Sequence, residues 1–181
     1  MEENARFDKL KKNLMDTLQE FQIKLGDSNE AVGLYYPIES LNRLLDTALD
    51  EAGMRETLNA FSAWAAEELG AVSVSNEGSR FCLRIPKEGA AYVRAHYPES
   101  GFLRDFIGRV SHFGAGIEDI LGVFRRYSDR VVCRKLDNAE FDYLIYFEDG
   151  QPDDYRYCVK FEGGFATYHR FTPEDYLALG F

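Results

Sequence analysis

The side chains best suited to proton transfer near neutral pH are three histidines, His96, His112 and His169. None stands at the spacing of a metal or nucleophile motif: there is no HExxH, no HxH and no serine within GxSxG. His96 and His112 fall near the ends of predicted helices, where a histidine commonly sits at the surface or complements the helix dipole. His169 falls on a strand face that reads as buried, so it is expected to be a core histidine bonded to a tyrosine. An enzymatic site would have to be assembled in three dimensions, from His169 or His112 with a nearby carboxylate.

Two loops carry groups that could bind ions. Glu148-Asp149-Gly150-Gln151-Pro152-Asp153-Asp154 holds four acids in seven residues, a density that suits a hard cation. Its spacing is not that of an EF-hand, and a turn built from Asp-Gly and Pro-Asp explains the same residues. Gly114-Ala115-Gly116 precedes a helix as phosphate-cradling loops do, yet Glu118 and Asp119 in the first turn would repel a phosphate. No catalytic residue, metal ligand or cofactor is assigned on these grounds.

The elements that must position such groups are read from periodicity. Phe7, Leu10, Leu14, Leu18, Phe21 and Leu25 form a stripe of period 3.6, an amphipathic helix closed by Gly26. A short helix with Leu41, Leu44 and Leu45 follows Leu34-Tyr35-Tyr36-Pro37. A third runs from about Asp50 to Leu69, and its Trp64 is expected to be buried against a sheet. Val72 and Val74, then Phe81, Leu83 and Ile85, alternate as a hairpin. Helices follow at about 88–96, 99–112 and 116–126. The chain ends in a four-stranded meander, about 130–136, 141–147, 155–161 and 165–171, and a last helix capped by Thr172 and opened by Pro173. The fold class is therefore α+β: a helical N-terminal half with one β-hairpin, packed on a C-terminal four-stranded antiparallel meander. The expected organisation is one domain over 1–181, with a helical part (1–70), a hairpin with helices (71–136), and a sheet with its final helix (137–181).

The register of the meander decides which side chains meet. If Phe161, Phe165, His169 and Phe171 share the buried face with Tyr143 and Tyr157, a three-residue loop Glu162-Gly163-Gly164 keeps the faces in step. That register sets Tyr146 opposite Arg156, Asp142 opposite Lys160, Tyr157 opposite His169 and Arg156 opposite Arg170. Two facing arginines repel, and each keeps its charge at physiological pH. An internal carboxylate would make the pair structural. A bound anion or acidic partner group would make Arg156 and Arg170, framed by Tyr146 and Tyr168 beside His169, a binding site.

Composition bounds the partners. The chain has 181 residues and a net charge of −10. Residues 1–70 balance to −7, residues 71–136 to +4 and residues 137–181 to −7. An acidic whole disfavours nucleic acid and anionic membrane as partners. The basic middle either complements the acidic ends or forms a patch for an anion or acidic partner. The start, Met1-Glu2-Glu3, is acidic and does not read as a signal peptide. Cys82, Cys133 and Cys158 form no CxxC pair and read as three free, buried strand thiols of a cytoplasmic protein.

Four segments carry a resemblance: Leu34-Tyr35-Tyr36-Pro37-Ile38, Glu140-Phe141-Asp142-Tyr143, Pro152-Asp153-Asp154-Tyr155-Arg156-Tyr157 and Tyr168-His169-Arg170-Phe171. They resemble an uncharacterised bacterial family, number 3877 among the domains of unknown function, over most of the chain. The resemblance implies a compact intracellular bacterial domain and carries no activity, cofactor or catalytic residue. The expected function is a non-enzymatic binding or protein-interaction module, taking a protein partner or a small anion; the alternative is the enzyme using His169 or His112.

Overall fold

A computed structural model describes residues 2–26 and 30–180. The acidic start of the chain begins outside them, at Met1. The chain divides into two compact units, Met1–Glu99 and Ser100–Phe181. Among the described residues, no helix is long and apolar enough to cross a membrane.

In the first unit, α1 (Glu2–Leu25) buries Phe7, Leu10, Leu14 and Leu18, while Leu25 at its end is exposed. β1 (Val32–Pro37) leads into α2 (Ile38–Leu45), with Pro37 as the residue before the first turn. The predicted third helix is two: α3 (Glu51–Trp64) and α4 (Ala66–Leu69), broken at the buried Ala65. Asp50 caps α3 by accepting the Gly53 N–H. The hairpin is β2 (Ser73–Glu77) and β3 (Arg80–Ile85). It gains a third strand that alternation alone did not reveal, because β1 pairs with β3 in the order β1-β3-β2. Val32 and Leu34 are buried while Gly33 and Tyr35 are exposed, so the period-2 signal in β1 is short and interrupted by glycine. α5 (Lys87–His96) closes the unit.

Trp64 is half-buried rather than buried, and its ring meets Phe7 and Phe61, with ring centroids 5.6 and 6.0 Å away. The Lys11 ammonium lies 4.9 Å from its ring. The α3 face that turns fully inward carries Met54, Leu58 and Phe61, and Trp64 stands at its edge.

The second unit opens with α6 (Gly101–Val110), capped by Ser100, and α7 (Ile117–Arg125). The meander follows as predicted: β4 (Val131–Lys135), β5 (Tyr143–Phe147), β6 (Arg156–Glu162) and β7 (Phe165–Phe171), in the order β4-β5-β6-β7. α8 (Pro173–Leu179) ends it, its Thr172 hydroxyl accepting the Asp175 N–H. The core of this unit is aromatic: Phe102, Phe106, Phe124, Phe147 and Tyr157 are buried and meet largely edge to face.

The turn between β6 and β7 corrects the predicted register. Gly163 and Gly164 both have positive φ, 59° and 83°, the geometry of a two-residue hairpin turn. Glu162 therefore faces Phe165, Phe161 faces Ala166, Tyr157 faces Arg170 and Cys158 faces His169. The preference for a three-residue loop rested on keeping Phe165, Thr167, His169 and Phe171 inside. The buried face instead takes Ala166, and Phe165 and His169 are exposed.

Candidate functional site

The one-residue shift in register separates the two arginines. Residues directly opposite on an antiparallel pair share a face. Arg170 stands opposite Tyr157, on the face covered by α6 and α7; Arg156 stands opposite Phe171, on the face of Cys158 and His169. Arg156 and Arg170 thus lie on opposite faces of the sheet, and no anion can lie between them. The repulsion that a shared face would have imposed does not arise.

Each arginine is stacked on a tyrosine. The Arg156 guanidinium lies 4.2 Å from the Tyr146 ring centre and donates to the Asp154 carbonyl at 2.8 Å. The Arg170 guanidinium lies 4.2 Å from the Tyr155 ring. Tyr146 and Arg156 are therefore brought together as the sequence suggests, and so are Asp142 and Lys160, joined at 3.2 Å. Tyr168 goes to the other face, where its ring meets Phe106 at 4.7 Å. His169 is exposed and lies against the Phe171 ring at 4.1 Å, so it is not a core histidine. His112 is exposed at the end of α6, its Nδ1 3.3 Å from the Phe113 carbonyl.

A buried polar chain takes the place of the arginine pair. Tyr157 is fully buried and its hydroxyl donates to Asp153 Oδ2 at 2.6 Å. Asp153 Oδ1 accepts the Tyr155 N–H at 3.1 Å. Arg170 donates to the Tyr157 hydroxyl and opposes its shift. Burial holds the Asp153 carboxyl above its ordinary range; the Tyr157 hydroxyl and the Arg170 charge oppose that shift without cancelling it. Burial first, and then the Asp153 carboxylate, raise the Tyr157 hydroxyl well above its usual value. Asp153 thus belongs to the acid-rich loop read as a turn, and it serves as an internal partner for a buried tyrosine. Among the described residues, no three histidine, cysteine or carboxylate side chains gather as a metal site would require.

Tyr176 of α8 lies near the other face of the sheet. Leu144 and Cys158 are buried there, and Tyr176 of α8 senses Cys158, Arg134, Tyr146 and Arg156.

The exposed feature that sequence reasoning missed is an aromatic pair at one end of this unit. Phe113, past the end of α6, is 66% exposed, and Phe165, first in β7, is 60% exposed. Their ring centroids are 5.1 Å apart, edge to face. The pair is held in place by backbone: the Gly114 N–H donates to the Gly164 carbonyl at 2.8 Å. Gly164 also lies directly beneath the Phe113 ring, where a Cβ would come within 2.7 Å of it. The signal in the sequence was a phenylalanine just past the predicted end of α6, three residues after Val110, and a phenylalanine following a Gly-Gly turn.

A family model described as "Domain of unknown function, E. rectale Gene description", DUF3877, matches residues 7–180. The chain belongs to this bacterial family. No curated protein and no solved structure matches it.

Proposed function

We propose that this chain is a protein-interaction module that anchors a partner through Phe113 and Phe165. The observation that carries the reading is the exposure of two phenylalanines that backbone geometry holds in one orientation. Two largely exposed rings present roughly 250 Å² of mostly apolar surface, at about 200 Å² for a whole phenylalanine. A stable dimer needs roughly 800 Å² from each copy, so the pair is too small to join two copies of this chain by itself. It has the character of a binding hot spot: rigid aromatic side chains that fill an apolar pocket on another protein. The partner this predicts presents a concave apolar pocket.

The test is the double variant Phe113→Ser with Phe165→Ser. Partners are captured with wild type and variant from lysate of a bacterium of this family, and each specific candidate is then purified and titrated against both chains. The expected result is a directly binding protein whose affinity falls at least about a hundredfold in the variant, as for a hot-spot pair worth 2 kcal/mol or more per residue. A set of direct binders indifferent to both rings would overturn the reading. Light scattering on the wild type checks the second-copy outcome.

A further inference from the structure

We propose that the outer edge of β4 docks an acidic, extended segment of a partner protein by strand addition. This rests on reading the chain as an interaction module, and it uses a surface separate from the aromatic pair. β4 ends the four-stranded sheet. Two flanking backbone bonds fix which of its residues serve β5: the Glu148 N–H donates to the Arg130 carbonyl at 2.9 Å, and the Leu136 N–H donates to the Asp142 carbonyl at 2.8 Å. With Val132 opposite Tyr146 and Arg134 opposite Leu144, alternation assigns residues 130, 132, 134 and 136 to the β5 ladder. Val131, Cys133 and Lys135 therefore turn their N–H and C=O groups outward, where no backbone bond among the described residues engages them. Cys133, Arg134 and Lys135 are all exposed.

Charge selects the occupant. Arg134 faces Leu144 and Lys135 faces Tyr143, so β5 opposes neither with a carboxylate. Arg125 and Arg126 of the same basic region are already paired, with Glu118 at 3.2 Å and Asp105 at 3.3 Å. Arg134 and Lys135 form no ion pair among the described residues, although the Lys135 charge helps to lower the Asp142 carboxyl. Cations on an exposed edge discourage pairing with a second copy, because both sets of charge would meet. The same cations favour a strand that carries carboxylates. At the other end of β4, Val131 and Val132 are half-buried and would be covered by apolar neighbours. In the antiparallel orientation, the segment reads acidic-acidic opposite Lys135 and Arg134, one small residue opposite Cys133, then two apolar residues opposite Val132 and Val131.

The test uses the full chain and two synthetic blocked peptides, Thr-Glu-Glu-Thr-Val-Val-Thr and its Lys-Lys counterpart. Binding at low salt is followed through amide NMR signals. The acidic peptide should bind at least about tenfold more tightly. The Val131, Cys133 and Lys135 amides should shift and exchange more slowly. Arg134→Glu with Lys135→Glu should invert the preference between peptides. Cys133→Pro, which removes an outward N–H and leaves the β5 ladder intact, should abolish binding of both; if that variant fails to fold, the charge reversal decides. Phe113→Ser with Phe165→Ser should bind the acidic peptide as wild type does, so failure of the aromatic reading leaves this result standing. Equal binding of the two peptides, shifts confined to other strands, or a dimer formed through β4 would overturn the proposal.

Discussion

The Tyr157 hydroxyl, fully buried, donates a 2.6 Å hydrogen bond to Asp153, a carboxylate four residues earlier on the same chain. A buried phenol and a half-buried carboxylate are each short of water and would each cost stability alone. Joined, and with Arg170 donating to the same hydroxyl, they form a satisfied chain that ties the loop before β6 to β7. The partner that the sequence left open for Arg170 is thus inside the fold. A ligand-binding role for Arg170 would have to compete with it.

Tyr157→Phe should lower stability by about 1–3 kcal/mol in urea unfolding, since it leaves a half-buried carboxylate short of a donor. The loss should also depend on pH. A carboxyl whose folded pKa is raised favours the folded state at low pH, and this contribution is lost as pH rises through the folded pKa. The variant raises that pKa further, so its deficit should be larger at pH 7 than at about pH 4. An equal deficit at both would show that Asp153 does not feel the missing hydroxyl.

Asp142 should behave in the opposite sense. It accepts the Phe161 N–H at 2.7 Å and the Lys160 ammonium at 3.2 Å, and the Phe161 bond is the main reason its carboxyl lies below the ordinary range. A lowered folded pKa gives stability that is present above the unfolded value, about 3.9, and is lost as pH falls through the folded one. Asp142→Asn removes this contribution. The stability gap between wild type and variant should be open at pH 6 and close as pH approaches about 2. A gap independent of pH would contradict the assignment.

The helices, the meander and the Thr172 cap were legible because each rests on a local signal. Periodicity gave the buried side of α1 up to Leu18, and Thr172-Pro173 gave the start of α8. What failed was one residue of register. The pattern Phe165, Thr167, His169, Phe171 is more apolar than Ala166, Tyr168, Arg170, so hydropathy ranked the two faces of β7 the wrong way round. The Gly-Gly turn carried the answer, since two adjacent positive-φ residues make a two-residue hairpin. The slip moved every β7 side chain to the other face and created the apparent arginine pair. The Tyr146–Arg156 contact survived because it depends on β5 and β6 alone. Asp153 was visible as part of an acidic loop, but its partner is set by the path of that loop, which no periodicity encodes. Trp64 sat on the apolar stripe of its helix, yet at its edge, and a stripe does not say what packs against it.

Gly89 tests a close approach that sequence does not announce. It lies in the first turn of α5, where glycine to alanine ordinarily favours the helix, by up to about 1 kcal/mol. Here a Cβ would come within 2.2 Å of the Leu69 carbonyl oxygen and 2.8 Å of Ile85. The nearest atom is backbone, at the end of α4, and cannot turn aside. Gly89→Ala should therefore destabilise the chain, by about 3 kcal/mol or more. Gly108 in α6 is the control: nothing lies within 4 Å of its Cβ position, so Gly108→Ala should be neutral or stabilising. Unfolding midpoints of the two variants that moved in the same direction would refute the packing of α4 against α5.

The three cysteines should differ in reactivity, contrary to the expectation of three buried thiols. All are free, but Cys158 is buried, Cys82 is half-buried and Cys133 is exposed. The reason is position in the sheet: Cys158 is on the third of four strands, whereas Cys133 is on the edge strand β4. Burial pushes the Cys158 thiol up to about 12. The Cys133 thiol is also raised, by partial burial and then by the Glu118 carboxylate, with Arg125 opposing. Since the thiolate is the reactive form, Cys133 should alkylate first in the folded chain, yet more slowly than an unstructured cysteine at pH 8. Cys158 should react only after unfolding. Peptide mapping after timed exposure to iodoacetamide, with and without urea, measures the order. Labelling of Cys158 in the native chain at a rate near that of Cys133 would show that this face of the sheet opens to solvent.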